Sequence, residues 1–290
     1  QRGLLQISVA LNAHLDGFRP LGYHLVNLVF HLTNSLFFYF ITYRALCYFG
    51  LGRYPPQESE IRSISLFTAM FFLLHPIQTE SVIYIMSRSE VLAATFYLSA
   101  FLLFQVCLDR SSPPKPGFKL FALFIIPIAF VLGFSVKQTV ITLPMMLLLY
   151  FLFGQSLGSP LLRILNKWKW GIGVILLISF SLLFRKLLTD ESFLIGPSTA
   201  GEDIGRLNYM LTQPSVVLFY YLKLFLFPIN LNVDPDIQMV TEWWSWKFWS
   251  GLVAITGFIY FSYRVKGTRF LFFLVLWFLI VISPSFLKTY

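Results

Sequence analysis

Charge is the scarcest resource in this sequence. Asp, Glu, Lys and Arg make up only 12% of its 290 residues, against about 25% in soluble domains. Cysteine is nearly absent as well: Cys47 and Cys107 form neither a disulfide framework nor a metal-binding spacing. The apolar stretches do not alternate with polar residues, which argues against a membrane β-barrel. No helical repeat of about 34 residues recurs. The chain starts at Gln1 with neither an initiator Met nor a cleavable signal pattern, so the expectation is a piece of a longer protein.

What fills the sequence instead is apolar residue, 57% of the total, in runs approaching the ~20 residues that cross a bilayer. Backbone groups in lipid must pair within their own segment, so such runs imply helices. The reading is an all-α, polytopic transmembrane helix bundle, with residues 1–290 as one membrane domain. About eight spans are expected, at 23–48, 63–75, 90–108, 118–135, 138–154, 170–186, 246–263 and 270–286. Residues 4–16 are too short to cross and predict a juxtamembrane helix. The stretch "PSVVLFYYLKLFLFP" at 214–228 is short and closed by proline at both ends; it predicts an interfacial or re-entrant segment.

The net charge of +9 would suggest nucleic acid in a soluble chain. Here the basic residues sort into alternate loops: Arg44, Arg53 and Arg62; Arg110, Lys115 and Lys119; Arg163, Lys167 and Lys169; Arg264, Lys266 and Arg269. That pattern is membrane topology, with these loops cytosolic, and no nucleic-acid partner is expected. Residues 1–22, 75–90, 136–138, 187–245 and 287–290 then share the opposite face.

That face collects the polar residues set beside apolar runs. "HPIQTESVIYIMSRSE" at 75–90 carries His75, Glu80, Arg88 and Glu90, and Lys137-Gln138 follows a further run. An ionisable group at membrane depth is costly and marks a candidate site. Glu80 is the candidate acid, its burial beside an apolar run expected to raise its pKa. Arg88 and Lys137 are candidate phosphate contacts, the first bidentate and the second a point charge. Arg206, in the long loop 187–213, is a third. On the preceding helix, "YHLVNLVFHLTN" sets His24, Asn27, His31 and Asn34 on one stripe. Seven residues separate the two histidines, ~10 Å along the axis, too far to chelate one ion. Hydrogen bonding between helices is the expected role of Asn27, His31 and Asn34, while His24, at the outer end, lies nearer a site. "TEWWSWKFW" at 241–249 reads as an interfacial aromatic belt.

Four blocks, "RGLLQISVALNAHLDGFRPLGYHLVNLVFHLTN", "HPIQTESVIYIMSRSEVL", "SVKQTVITLPMMLLLY" and "YYLKLFLFPINLNVD", come in the order found in one family. The chain resembles the membrane region of the transmembrane and tetratricopeptide-repeat O-mannosyltransferases and their bacterial relatives. Those belong to the GT-C superfamily of glycosyltransferases, which use polyprenyl-phosphate sugars. The resemblance implies a sugar, mannose, moved from a polyprenyl (dolichyl) phosphate to Ser/Thr hydroxyls of an acceptor protein. It places Glu80 at the acceptor or catalytic acid, Arg88, Lys137 and Arg206 at the donor phosphate, and His24, His75 and Gln138 around the cavity. It also implies residence in the endoplasmic reticulum membrane of a eukaryote or the inner membrane of a bacterium. Arg2-Gly3 stands where the family has Arg-Pro, and Lys137-Gln138 where it has Lys-Glu. The family's first helix, its acidic pair and its tetratricopeptide repeats would fall outside this sequence. No cofactor is implied, and a divalent metal is left open. A transporter or flippase, or a non-catalytic membrane scaffold, stands as the alternative.

Overall fold

The computed structural model describes residues 3–17, 19–49, 57–109, 114–154, 206–232, 237–264 and 269–286. Among these there are helices and no strand. They are α1 (Gly3–Asp16), α2 (Pro20–Phe49), α3 (Glu58–Leu74), α4 (Thr79–Ile83), α5 (Arg88–Leu108), α6 (Pro116–Val136) and α7 (Leu143–Gly154). After these come α8 (Arg206–Val216), α9 (Lys223–Leu226), α10 (Trp246–Arg264) and α11 (Arg269–Ile282).

Local sequence sets many of the boundaries. Pro20 and Pro116 open α2 and α6, where their missing N–H leaves no helical bond unmade. The N–H of Gln57 is met by the Glu60 carboxylate at 2.9 Å, so α3 begins with a side chain covering an orphan donor. α3 stops at Leu74 because Pro76 pushes His75 out of the helical region, to φ −65° and ψ 126°. Beyond it the chain resumes at a bend of 49°.

α2 and α5 run parallel, with α3 antiparallel beside α2. Asn34 donates to Val91 O at 2.9 Å and accepts from Thr95 Oγ1 at 2.9 Å. Gln105 donates to Ile41 O at 3.2 Å, and Arg44 pairs with Asp109 at 3.0 Å. Toward α3, His31 Nε2 meets Leu73 O at 3.1 Å and Ser35 donates to Ala69 O at 2.9 Å. His31 and Asn34 of the α2 polar stripe are thus spent on neighbouring helices, as the spacing predicts. α6 packs along α5, where Gly133 admits Phe96 and Val140. Phe101, Tyr150 and Phe273 form the buried aromatic centre between α5, α7 and α11.

The membrane reading holds in coarser form than expected. Three helical stretches, 20–49, 85–108 and 116–136, are long and apolar enough to cross a bilayer, and α3 with its bent continuation makes a fourth. The expected spans at 138–154 and 270–286 are realised as shorter apolar helices, Gln138–Phe153 and Phe270–Ile282. The span expected at 246–263 is a helix of 19 residues that is not apolar enough to qualify. The span expected at 170–186 lies outside the described residues, as do Arg53, Arg110, Arg163, Lys167, Lys169 and Lys266. The short helix expected at 4–16 is α1, which packs on α2, α5 and α6.

Candidate functional site

Two sets of contacts define the ends of this bundle. Arg44 and Asp109 close one. At the other, Arg88 reaches back to α2, and Lys137, after α6, pairs with Glu90 at the start of α5. The second end therefore gathers the stretches that loop charge assigned to one face: α1, the start of α2, residues 75–90 and residues 136–138.

Arg88 lies at the centre of that end, and its place corrects an expectation. It sits on no open rim: its accessible surface is 0%. Nε donates to Asn27 Oδ1 at 2.9 Å, Nη1 to Ser8 O at 3.0 Å and Nη2 to Tyr23 O at 3.2 Å. The guanidinium also lies 5.4 Å from the Tyr23 ring centroid, within cation–π range. Asn27 uses its amide on Val82 O at 3.3 Å. A planar fork suited to a phosphate is here fitted to protein acceptors, joining α1, α2 and α5. Lys137 differs. It caps α6, is only partly buried, and its partner Glu90 is exposed over nearly half of its side chain.

Glu80 sits in the first turn of α4 and is exposed. The burial expected for it is not found, because α4 lifts it off the apolar run ending at Leu74. His75 is buried and bonded twice. Its Nδ1 accepts from Ile77 N–H at 3.2 Å, and its Nε2 meets Phe225 O at 3.0 Å. His24 is half-buried, with Nδ1 shielded from solvent and without a hydrogen-bond partner. Gln138 is half-buried at the start of the 3₁₀ turn 138–142. Arg206 opens α8, and its side chain lies outside the described part, as do Asp234 and Asp236 and most of the loop 187–213.

Residues 206–226 add a wall that sequence reasoning placed only loosely. α8 leads into a π-helical stretch, Val217–Leu222, and then α9. π turns inside helices often mark functional positions. Phe225 rests on His75, and α8 packs on the turn 283–286 after α11. The segment is therefore tied at more than one place to this same end. Within it, burial and then the nearby Glu80 carboxylate push the Tyr220 phenol up, and the hydroxyl donates to Asn232 O at 3.3 Å. Behind it, α8 and α10 touch backbone to backbone: a Cβ on Gly251 would overlap the Pro214 carbonyl. The expected aromatic belt is exposed at Trp243, Trp244 and Trp246, with Trp246 edge-on to Phe219 at 5.6 Å.

The structure thus brings Glu80, Arg88, Lys137, His24 and His75 to one end and adds Glu90, Asn27 and Tyr220. Of these additions, Glu90 stood in the quoted motif, whereas Tyr220 carried no signal beyond its apolar segment. Among the described residues no group of three or more His, Cys, Asp and Glu side chains is placed to hold a metal ion.

The chain is 31% identical over 162 residues to the protein O-mannosyl-transferase TMTC1 of Mus musculus, a match covering 53% of this chain and 16% of that protein. It is 36% identical over 101 residues to the protein O-mannosyl-transferase TMTC3 of the same species, covering 35% and 10%. It is 24% identical over 274 residues to the protein O-mannosyl-transferase F38B6.6 of Caenorhabditis elegans, covering 90% and 33%. The chain spans about a third or less of the length of these curated relatives. No family model matches, and no solved structure matches. The resemblance read from the four sequence blocks is borne out by these relatives.

Proposed function

We propose that this chain is the membrane region of a glycosyltransferase that moves mannose from a polyprenyl-phosphate donor to Ser or Thr hydroxyls of proteins. One observation carries the reading beyond the names of the relatives. An exposed carboxylate, Glu80, and a cation–carboxylate pair, Lys137–Glu90, stand at the same bundle end, beside helices able to border a lipid. This end faces the lumen of the endoplasmic reticulum in a eukaryote or the periplasm in a bacterium. The bundle completes a GT-C arrangement of eight crossings, its shorter helices crossing with help from neighbours and local thinning. Tetratricopeptide repeats follow it in the whole protein.

In the transfer, the acceptor oxygen attacks the anomeric carbon and the bond from that carbon to the phosphate oxygen breaks. The polyprenyl phosphate leaves with the bonding pair, and the acceptor proton passes to a carboxylate, for which Glu80 is the candidate within this sequence. Lys137, released from Glu90, balances the charge growing on the phosphate. Arg88 acts from behind, holding α1 and α2 against α5 so that the surface above it keeps its shape.

The test is transfer of labelled mannose from polyprenyl-phosphate mannose to a Ser/Thr peptide by the purified protein in lipid nanodiscs. Glu80→Gln and Lys137→Ala should each lower turnover about 100-fold, within the ranges for a general base and for an electrostatic stabiliser, with the fold retained. Wild-type rates in both variants would remove this end of the bundle from the chemistry.

A further inference from the structure

His75 does more than end a helix. Because its Nδ1 accepts the Ile77 N–H, the ring proton must sit on Nε2, and Nε2–H donates to Phe225 O at 3.0 Å. That carbonyl is an orphan of a helix end. Residue 228 is proline and has no N–H to offer, and the Ile229 N–H turns to Phe227 O at 2.8 Å instead. The two rings also stack, 5.6 Å apart at 16°, and Phe71 packs on both, 4.9 Å from His75 and 5.6 Å from Phe225. One imidazole therefore serves two chain ends 150 residues apart: the 3₁₀ turn after α3 and the last turn of α9.

The position of this clasp gives it a consequence. Glu80 lies one helical turn beyond His75 in sequence, and Tyr220 lies just before Phe225. Fastening Phe225 to His75 fixes the distance between the strip carrying Glu80 and the strip carrying Tyr220. We propose that His75 is a positioning residue, clasping residues 206–226 against residues 75–90 so that the π-helical stretch forms the acceptor-side wall facing Glu80. This rests on the transferase reading above. The wall offers a phenol within electrostatic reach of the Glu80 carboxylate, flanked by exposed Tyr84 and Phe225, which suits an extended peptide whose hydroxyl side chain points to Glu80. Neither His75 bond touches the donor side, where Lys137 stands.

Two substitutions split the two bonds. In His75→Asn, Oδ1 takes the place of Nδ1 and keeps the Ile77 bond but cannot reach Phe225. In His75→Gln, Nε2 takes the place of the ring Nε2 and keeps the Phe225 bond. Hydrogen exchange and transfer kinetics are measured on the same proteins in nanodiscs. The expected result is faster amide exchange in 217–226 for His75→Asn, by about 5- to 10-fold for one lost hydrogen bond, with wild-type exchange in His75→Gln. The Michaelis constant for the acceptor peptide should rise in His75→Asn and recover in His75→Gln, with that for the donor unchanged in both. Equal exchange in the two variants overturns the clasp. A clasp seen by exchange with an unchanged acceptor constant overturns the positioning role. Absence of transfer by the wild type overturns the transferase reading and the acceptor-side role together, while the exchange comparison still decides the clasp.

Discussion

Removing the partner of Arg88 should do more damage than removing Arg88 itself. Asn27→Leu deletes the acceptor of the Nε bond at 2.9 Å and the longer donations to Val82 O and Tyr84 O. A hydrogen bond to a charged group is worth about 1.5–3 kcal/mol, and a charged donor left buried bears its full desolvation cost. The two long bonds add little, so a loss of about 2–3 kcal/mol is expected on the same scale. Arg88→Met removes the charge with its bonds. Ser8 O and Tyr23 O lie inside α1 and α2 and keep their helical amides, and the cost of burying a guanidinium disappears. The double variant should therefore be more stable than Asn27→Leu alone, by about 1–3 kcal/mol, a coupling typical of contacting pairs. Equilibrium unfolding of the four proteins in mixed micelles closes the cycle. If Arg88→Met is the worst of the three, or the two losses simply add, then Arg88 is not held by Asn27 as described. If Arg88→Met unfolds like wild type and only loses the lipid donor, the guanidinium binds phosphate and its buried state is not the working one.

Gly251→Ala should cost about 1–3 kcal/mol by overpacking, because the atoms a new methyl meets are Pro214 backbone; a melting temperature equal to wild type would contradict the close approach of α8 and α10. Asn34→Leu should lower stability by about 1–2 kcal/mol through the lost Val91 and Thr95 bonds, and micelle unfolding measures it. In a background without Cys47 and Cys107, cysteines at exposed Tyr84 and Met239 should react with an impermeant maleimide from one side of the membrane and a cysteine at Lys115 from the other. Reaction of Tyr84 and Met239 sites from opposite sides would mean that the 214–228 segment crosses.

The α2 stripe was legible because its period of polar residues against apolar ones is a local property, and the predicted interhelical bonding is what Asn27, His31 and Asn34 do. The gathering of α1 and the start of α2 with residues 75–90 and 136–138 was legible from loop charge, since topology alone decides which loops share an end. The role of Arg88 was not legible. Its partner Asn27 is 61 residues away, and its other acceptors are backbone carbonyls, which leave no mark on residue identity. The burial of Glu80 was misjudged because an apolar run ends shortly before it, at Leu74, whereas the bend at His75–Pro76 sets α4 apart from that run. The clasp to Phe225 escaped for a similar reason: the bond accepts any residue's carbonyl, and only the proline three positions on hinted that one was unclaimed.

The stitching of α2 to α5 at four levels, from Asn27–Arg88 through Asn34 and Gln105 to Arg44–Asp109, bears on where the lipid of the proposed donor would enter. A parallel pair fastened at both ends and twice between cannot slide by a turn or splay without breaking several bonds at once. It serves as a stator. On the transferase reading proposed above, the gap that admits the donor's lipid must therefore open away from the α2–α5 seam.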